Sequence, residues 1–144
     1  RQLCFRRTFK YSGVTKEGTM QRIMLKSKLH RATVTESCLH YEGSIAISRD
    51  LMEAADLVPY EKVDIYNVSN GERFSTYVIE GERNSGVISL NGAAARKGAE
   101  GDLIIIASYV SVEDKAAKNW TATCVYLDEN NRIKKESSSA VYFV

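Results

Sequence analysis

The chain has 144 residues, of which 44% are hydrophobic and 26% are charged, and it contains a single proline. This length and composition are typical of one globular domain and exclude a disordered chain. Apolar runs such as Leu103–Ala107 are far shorter than the roughly 18 residues of a membrane-spanning helix. The net charge is +2, but residues 1–19 hold five of the 20 basic residues and one of the 18 acidic residues. Residues 20–144 therefore carry a net charge of −2, which argues against nucleic-acid binding.

Residues 1–19 differ from the rest of the chain. They show no regular periodicity and lack the apolar stretch of a secretory signal, while their abundant arginine leaves a transit peptide as a weak alternative. The segment Lys16–Met20 can be encoded by AAR-GAR-GGN-ACN-ATG, which can contain a purine-rich ribosome-binding sequence directly before a start codon. We therefore expect Met20 to be the natural start, residues 1–19 to be a non-native or disordered leader, and residues 20–144 to form one β-barrel domain.

Short β-branched segments separated by turns predict strands at the start of this domain. Ile23–Leu29 alternates between apolar and basic residues, and Ala32–Leu39 begins with a similar alternation. Ser44–Ser48 is a brief apolar segment after a glycine. These three segments predict three strands.

One segment changes to a helical period. Apolar residues recur at the spacing i, i+3, i+4 and i+7, at positions Leu51, Ala54, Ala55 and Val58. This spacing predicts a short helix over residues 50–58, with Asp50 as its N-cap and its end before the only proline.

The strongest local pattern is that of a β-hairpin. Val63–Ser69 and Glu72–Ile79 are strand-like segments that flank Asn70-Gly71. Because Asn-Gly tolerates the two positive φ angles of a type I′ turn, the pattern predicts two strands joined by a two-residue turn.

The remaining segments complete a mainly β pattern. Val87–Leu90 predicts a strand that an Asn-Gly pair ends, and Leu103–Val112 predicts a buried strand in the middle of a sheet or barrel. Asp114–Trp120 predicts a helical turn, and Thr123–Leu127 is expected to pair with Arg132–Lys135. Six to eight short strands with one or two short helices favour a small β-barrel.

Most familiar catalytic patterns are missing. His30 and His40 are the only histidines, so a metal centre would need carboxylates at no recognisable spacing, and we predict no metal. The motifs GxGxxG, GxxxxGK[ST], GxSxG and HExxH are absent. The eight tyrosines lie mostly within strand patterns, which favours core or half-buried positions over base stacking. Three scattered cysteines without a CxxC pair exclude a disulfide framework and indicate a reducing cytoplasm.

The pair Gly43-Ser44 has a chemical capacity beyond that of an ordinary turn. A serine hydroxyl can attack the preceding carbonyl when the backbone is strained, and glycine there has no Cβ to obstruct the attack. The ester that results can eliminate at the serine Cβ to give dehydroalanine, which hydrolyses to a pyruvoyl group on the new N-terminus. The local sequence permits this chemistry without requiring it.

Four separated motifs give the chain a resemblance to a known family. His30-Arg31, His40–Ser44, Asn70–Tyr77 and Asn91–Arg96, in this order and spacing, resemble the bacterial pyruvoyl-dependent aspartate 1-decarboxylase family, which makes β-alanine for pantothenate and coenzyme A synthesis. The resemblance covers residues from about 20 to about 127 and is specific because four motifs lie in register.

The resemblance implies a fold, an assembly and a maturation step. The fold would be a small double-psi β-barrel, in a cytoplasmic homotetramer with active sites between neighbouring subunits. The chain would cleave itself between Gly43 and Ser44, giving a β chain that ends at Gly43 and an α chain that begins with a pyruvoyl group derived from Ser44. Thr76 matches the threonine that supports the self-cleavage intermediate, and its hydroxyl could stabilise an oxyanion. Whether a maturation helper protein is needed stays open.

The resemblance also implies roles in decarboxylation. The amine of L-aspartate would form a Schiff base with the pyruvoyl group, which acts as the electron sink as CO₂ leaves. Tyr77 matches the proton donor, and Arg73 and Lys28 supply cations for the two substrate carboxylates. The residues matched to substrate contacts are Lys28, Arg73, Thr76, Asn91, Gly92, Ala93 and Ala94.

Two alternatives remain from the sequence. The first is a non-catalytic small β-barrel module that binds DNA, which the net charge of −2 over residues 20–144 disfavours. The second is a structural precursor that folds but is never processed. The presence of Gly43, Ser44, Thr76 and Tyr77 argues against lost capacity.

Overall fold

The computed structural model describes residues 20–137, which contain nine strands, two short α-helices and one 3₁₀ helix. The expectations for residues 1–19 and for the end of the chain after residue 137 lie outside the described residues. In chain order the elements are β1 (Gln21–Thr33), β2 (Glu36–Cys38), β3 (Ser44–Ser48), α1 (Arg49–Ala54), β4 (Lys62–Asn67), β5 (Arg73–Gly81), β6 (Ile88–Asn91), the 3₁₀ helix (Gly92–Lys97), β7 (Leu103–Glu113), α2 (Asp114–Ala117), β8 (Thr123–Leu127) and β9 (Ile133–Ser137).

The strands are hydrogen-bonded in the order β2-β6-β3-β5-β4-β7-β1-β8-β9. Strand β5 joins two groups of strands, because it pairs in parallel with β3 and antiparallel with β4. One hydrophobic core receives buried side chains from both groups. The prediction of a mainly β fold of small barrel type, with short helices, is confirmed. In residues 20–137 no helix has the length and apolar character needed to cross a membrane.

The core forms because alternate residues of each strand face inward. Leu29 of β1 lies opposite Ile106 of β7, and Ile106 lies opposite Ile65 of β4, so one row of paired positions is fully or almost fully buried. Burial of each such side chain contributes roughly 1.5–3 kcal/mol. The predicted strand Leu103–Val112 is confirmed as β7, which lies between β4 and β1 in the interior of the sheet.

The second predicted strand differs from the structure. Ile23–Leu29 is confirmed as part of β1, but β1 continues to Thr33, and Glu36–Cys38 forms a separate short strand instead of one strand over Ala32–Leu39. The break lies at Val34, whose N–H donates to the Asp102 carbonyl at 2.9 Å and whose carbonyl accepts from the Gly101 N–H at 2.8 Å. These bonds tie the segment between β1 and β2 to the loop before β7. Such a non-local partner has no signature in the local pattern.

The predicted helix is shorter than expected. It spans Arg49–Ala54, with Ser48 at the N-cap position, so the predicted N-cap Asp50 lies in the first turn. The Leu57 N–H donates to the Met52 carbonyl at 2.8 Å, which closes a wide turn after the helix. Leu57 is therefore buried in the core, and Val58, which the helical spacing placed on the apolar face, is 58% exposed.

The predicted hairpin is confirmed as β4 and β5, but its turn type is wrong. The last paired residues are Tyr66 and Arg73, so the connection is longer than two residues, and within Asn70-Gly71 only Gly71 has a positive φ, of 79°. The side-chain oxygen of Asn67 accepts the N–H groups of Ser69 and Asn70 at 2.9 and 3.2 Å. This side-chain cap stabilises the longer turn.

The later predictions agree with the structure within a few residues. Val87–Leu90 corresponds to β6, Asp114–Trp120 contains α2, and Thr123–Leu127 is β8, which pairs antiparallel with β9. The 3₁₀ helix Gly92–Lys97 was not predicted, because its run of small residues has no amphipathic period.

A buried asparagine fastens the turn between β8 and β9 to the barrel. Asn131 is 2% exposed, and its side-chain amide donates to the carbonyls of Thr33 and Gly86, both at 2.8 Å. Its side-chain oxygen accepts the Thr33 N–H at 2.7 Å. With a φ of 57°, it also adopts the left-handed conformation that asparagine tolerates better than most residues.

We expect Asn131→Ala to lower the free energy of unfolding by about 3 kcal/mol, because the substitution leaves buried backbone groups without partners. Asn131→Gly, which accepts the positive φ, should lose nearly as much if the hydrogen bonds dominate. Asn130→Ala, at the exposed neighbouring position, should change the value by less than about 0.5 kcal/mol. Chemical denaturation at a fixed protein concentration measures all three, and equal stability of Asn131→Ala and Asn130→Ala would contradict this role.

Candidate active site

Strand β5 carries three of the residues expected in the site. Arg73 and Tyr77 lie four residues apart and so face the same side of the strand, where both are exposed. Their backbones are separated by about 13 Å along the strand. Thr76 faces the opposite side and is half-buried, as is Phe74, which packs against the core.

The Gly43–Ser44 junction lies at the start of β3, between two strands. Ser44 pairs with Asn91 of β6, and the next residue, Ile45, pairs with Val78 of β5. The parallel register between β3 and β5 therefore places Ser44 beside Tyr77. Local sequence predicted the strand β3, and the pairing with β5 and β6 brings it to the other site residues.

Ser44 has an unfavourable backbone conformation and an unpaired hydroxyl. Its φ is 97°, outside the region that residues with a Cβ normally occupy, which costs on the order of 1–3 kcal/mol. The residue is 3% exposed, and its Oγ has no hydrogen-bond partner among the described residues. A buried hydroxyl without a partner costs roughly a further 1–3 kcal/mol. The fold therefore holds a strained serine whose oxygen is free to react.

The backbone before Ser44 is packed tightly against Gly92. A Cβ at Gly92 would lie 2.9 Å from the Gly43 Cα, which is closer than real Cβ contacts, and 3.0 Å from the Tyr41 carbonyl oxygen, which is closer than most. The φ of Gly92 is 61°, so glycine is required there both for conformation and for space. The predicted substrate loop and the junction are thus in direct contact.

Tyr77 lies close to the junction as well. A Cβ built on Gly43 would be 3.9 Å from the Tyr77 Oη, an ordinary contact distance. The uncleaved chain thus has room for a side chain at position 43, and the positive φ is at Ser44 and not at Gly43. The ring of Tyr60 lies against that of Tyr77, with a centroid distance of 6.4 Å and an interplanar angle of 39°.

Asn91 is held in place by a neighbouring side chain. It is 4% exposed, and its side-chain oxygen accepts a hydrogen bond from the Ser89 hydroxyl at 2.9 Å. In the 3₁₀ helix that follows, Ala93 is exposed and Ala94 is 7% exposed. Asn91 and Gly92 therefore lie at the junction.

Lys28 is not brought to the junction within one chain. It pairs with Ala107 of β7, Ala107 pairs with Asp64 of β4, and Asp64 pairs with Ser75 of β5. Three strand spacings of about 4.8 Å put its backbone about 14 Å from that of β5. Lys28 is half-buried on the outward side of this row.

Arg73 is exposed and lies over an aromatic ring that the sequence did not single out. Its guanidinium carbon is 3.8 Å from the centroid of the Tyr66 ring, within the range of a cation–π interaction. Tyr66 is the residue that pairs with Arg73 across β4 and β5. The hairpin pattern could have revealed this neighbour, because paired positions share a face.

The two histidines have different environments. His40 is exposed. His30 is half-buried, its Nδ1 is buried without a partner among the described residues, and its ring meets that of Tyr126 edge-on at 5.4 Å between centroids. Burial, together with the positive charges of Lys28 and Arg31, lowers the pKa of His30, so its ring is neutral at pH 7.

Within residues 20–137, Cys38 is exposed and Cys124 is buried, and both are free thiols. No group of three or more His, Cys, Asp or Glu side chains in this part of the chain is arranged to hold a metal ion.

Comparison with known proteins gives one consistent result. A family model described as aspartate decarboxylase matches residues 20–134. An aspartate 1-decarboxylase from Syntrophus aciditrophicus (strain SB) is 70% identical over 115 residues, which are 80% of this chain and 99% of that protein. Proteins of the same name from Burkholderia mallei (strain SAVP1) and Burkholderia pseudomallei (strain 1106a) are 59% identical over 116 residues, which are 80% of this chain and 91% of each relative.

The contact between Gly92 and the junction leads to a prediction with a matched control. Gly71 also has a positive φ, of 79°, but a Cβ there would meet nothing within 4 Å. Gly71→Ala should therefore cost only the conformational strain, about 1–2 kcal/mol. Gly92→Ala should cost about 1–3 kcal/mol more, because its Cβ would overlap the backbone of residues 41–43. Chemical denaturation measures both variants, and equal losses would show that the contact does not matter.

Proposed function

Because this chain belongs to the aspartate decarboxylase family, we propose that it decarboxylates L-aspartate with a pyruvoyl group made from its own Ser44. The reaction removes C1 of aspartate as CO₂ and leaves β-alanine. The chain is a decarboxylase, a carbon–carbon lyase, and aspartate is the substrate named for its relatives.

The proposed maturation step is supported by the backbone conformation of Ser44 and by the environment of its hydroxyl. Its hydroxyl is buried and unpaired, and its backbone is held at a φ of 97° directly after Gly43. A serine that served only as a strand residue would be expected to pair its hydroxyl and to adopt an extended conformation. Strain and an unpaired nucleophile at one residue support self-cleavage at this bond.

The cleavage step uses groups of the chain itself. The Ser44 Oγ attacks the Gly43 carbonyl carbon, the peptide nitrogen leaves as an amine, and the chain is joined by an ester. Removal of the Ser44 Cα proton with loss of the Gly43 carboxylate gives dehydroalanine, which water converts to the ketone and ammonia. The pairing of β3 with β5 begins at Ile45 and Val78, and Gly43 and Thr76 each lie two residues before it. We assign Thr76 the stabilisation of the oxyanion on Gly43.

The surroundings of Ser44 fit a pyruvoyl group. Position 44 is 3% exposed, its Oγ has no hydrogen-bond partner among the described residues, and Gly92 packs against the backbone of Gly43 directly before it. A pyruvoyl group at position 44 would supply a carbonyl that condenses with the substrate amine, with loss of water, and would then accept the electron pair that remains after CO₂ leaves. Tyr77, whose Oη lies beside the junction, is assigned to donate the proton to Cα of the substrate. Asn91, Gly92, Ala93 and Ala94 are assigned to the substrate loop.

The two substrate carboxylates require cations. Arg73 presents a planar group that can bind a carboxylate with two hydrogen bonds, and we assign it to the side-chain carboxylate that the product retains. Lys28 is assigned to substrate binding from a neighbouring subunit, because about 14 Å separates its backbone from β5 in its own chain. The α-carboxylate should be weakly held, since strong pairing would stabilise the ground state.

The assembly and cellular role follow from the same proposal. We propose a homotetramer with active sites between subunits, in which self-processing converts a zymogen into the enzyme. Its product would serve pantothenate synthesis in the cytoplasm, where the free thiols of Cys38 and Cys124 would stay reduced. A helper protein for maturation is compatible with this scheme, and the scheme includes no nucleic acid or membrane.

Self-cleavage is tested by a denaturing gel and intact mass measurement of the purified protein. We expect one fragment that ends at Gly43 and one that begins at position 44 and is lighter, by one ammonia, than a chain beginning with serine. Ser44→Ala should give a single uncut chain without activity, because it lacks the nucleophile. Tyr77→Phe should still be cut but should lose activity by about 10²-fold or more, because it lacks the proton donor.

The outcomes separate the two assignments. An uncut wild-type chain that still releases CO₂ from aspartate would overturn the pyruvoyl mechanism. A Tyr77→Phe enzyme that is cut and fully active would leave the mechanism in place and remove Tyr77 from it.

The placement of Lys28 across a subunit interface is tested by co-expression. A Lys28→Ala chain and a Ser44→Ala chain should each be inactive as pure tetramers. If a site combines Ser44 of one chain with Lys28 of its neighbour, random mixing restores about one quarter of the sites. If both residues act within one chain, mixed tetramers stay as inactive as either parent. Mixing the two purified tetramers without subunit exchange provides the control.

A further inference from the structure

Three outward-facing side chains form a cluster on strands β4, β5 and β7. Arg73 of β5 lies over the ring of Tyr66 of β4, with its guanidinium carbon 3.8 Å from the ring centroid. The Tyr66 hydroxyl is hydrogen-bonded to the Tyr109 hydroxyl of β7 at an oxygen–oxygen distance of 2.6 Å. The three residues form a chain of contacts, from Tyr109 to Tyr66 to Arg73.

The stacking leaves the hydrogen-bonding edge of Arg73 free. Arginine interacts with a ring through the face of its guanidinium group, while its five N–H groups point outward in the plane. Among residues 20–137, no hydrogen bond or salt bridge involves the Arg73 guanidinium. The cluster thus fixes the orientation of a cation without neutralising it.

A nearby carboxylate has a different partner. Asp64 lies on β4 two residues before Tyr66 and therefore faces the same side. Its Oδ1 accepts a hydrogen bond from the Ser75 hydroxyl at 2.5 Å. Ser75 lies two residues after Arg73 on the same face of β5. The Asp64 carboxylate is thereby held by a hydroxyl and not by Arg73.

Tyr109 stays a neutral phenol under physiological conditions. Burial raises the pKa of Tyr109 to about 12, and the hydrogen bond with Tyr66 and the negative charge of Asp64 act in the same direction. An ionised phenol here would attract the guanidinium of Arg73 and compete with a bound carboxylate. The neutral hydroxyl pair positions Tyr66 without that competition.

We propose that Tyr66, braced by the hydroxyl of Tyr109, is a positioning residue that orients Arg73 toward the side-chain carboxylate of the substrate. This inference rests on the proposed function, in which Arg73 binds that carboxylate. Because a ring of fixed orientation limits where the guanidinium can reach, the pair selects a dicarboxylate of one length. Loss of the ring should weaken dicarboxylate binding more than it slows the chemical step.

The test uses the processed enzyme and succinate, a four-carbon dicarboxylate that has no amine and cannot react. Titration calorimetry gives the Kd of succinate, and steady-state kinetics give KM and kcat for aspartate. We expect Tyr66→Leu to raise both the succinate Kd and the aspartate KM about fivefold, with kcat within about twofold of wild type. Tyr109→Phe should raise the succinate Kd and the aspartate KM about twofold, because it removes only the hydroxyl that is hydrogen-bonded to Tyr66.

Two further variants make the test specific. Tyr66→Phe keeps the ring and loses the hydroxyl, so it should match Tyr109→Phe, and the double variant should be no worse than either single variant. Ser111→Ala removes another hydroxyl from β7, one that donates to Gln21 Oε1 at 3.1 Å and does not contact Tyr66. It should leave the Kd and KM unchanged.

The outcomes distinguish this inference from the proposed function. Unchanged succinate Kd and aspartate KM in a cleaved, active Tyr66→Leu enzyme would overturn the positioning role alone. If Tyr66→Leu fails to fold, additive effects of Tyr66→Phe and Tyr109→Phe would overturn it equally, since they would show that the two hydroxyls act separately. A wild-type chain that is neither cut nor active would instead overturn the proposed function.

Discussion

The strained backbone of Ser44 is the constraint on which the site depends. Ser44 pairs with Asn91, and Ile45 is held from both sides by Leu90 and Val78, so the start of β3 cannot relax by itself. The residues before it are confined by their contact with Gly92. A φ of 97° at a serine persists because these surroundings over-determine it. Since that angle includes the carbonyl carbon of Gly43, breaking the Gly43–Ser44 bond would release this strain.

Local pattern predicted most elements of the fold, because strands with one buried face must alternate. Alternation indicated β1, short or continuous apolar segments indicated β3, β6 and β7, and the Asn-Gly pair between two strand-like segments indicated the hairpin β4–β5. Strand β8 was expected from its pairing with the segment that follows it. The errors occur where a backbone hydrogen bond that the hydrophobic pattern does not indicate decides the structure. Val34 is hydrogen-bonded to the loop at residues 101–102 and does not continue β1. Leu57 is buried in the core in place of Val58 because a wide turn follows α1. The hydrophobic spacing indicates neither of these hydrogen bonds.

The sequence predicted which residues meet at the junction but did not predict the geometry of the site. Four spaced motifs pointed to Ser44, Tyr77 and Asn91, and the strand order brings these three together at the junction. The sequence pattern did not show that the strain lies in Ser44, because backbone angles depend on how β3 is held between β5 and β6. It also did not single out Tyr66 and Tyr109, whose hydroxyls meet only because β4 and β7 are adjacent in the sheet.

The geometry of strand β5 supports the proposal that the site lies between subunits. Its two faces serve different purposes, since Phe74 and Val78 fill the core while Arg73 and Tyr77 are exposed. A four-residue step separates Arg73 from Tyr77 by about 13 Å, and only the end of the strand near Tyr77 meets β3. Exposed residues on the outer face of a barrel enclose a substrate more fully when a second surface covers them, which supports the proposal that the site lies between subunits.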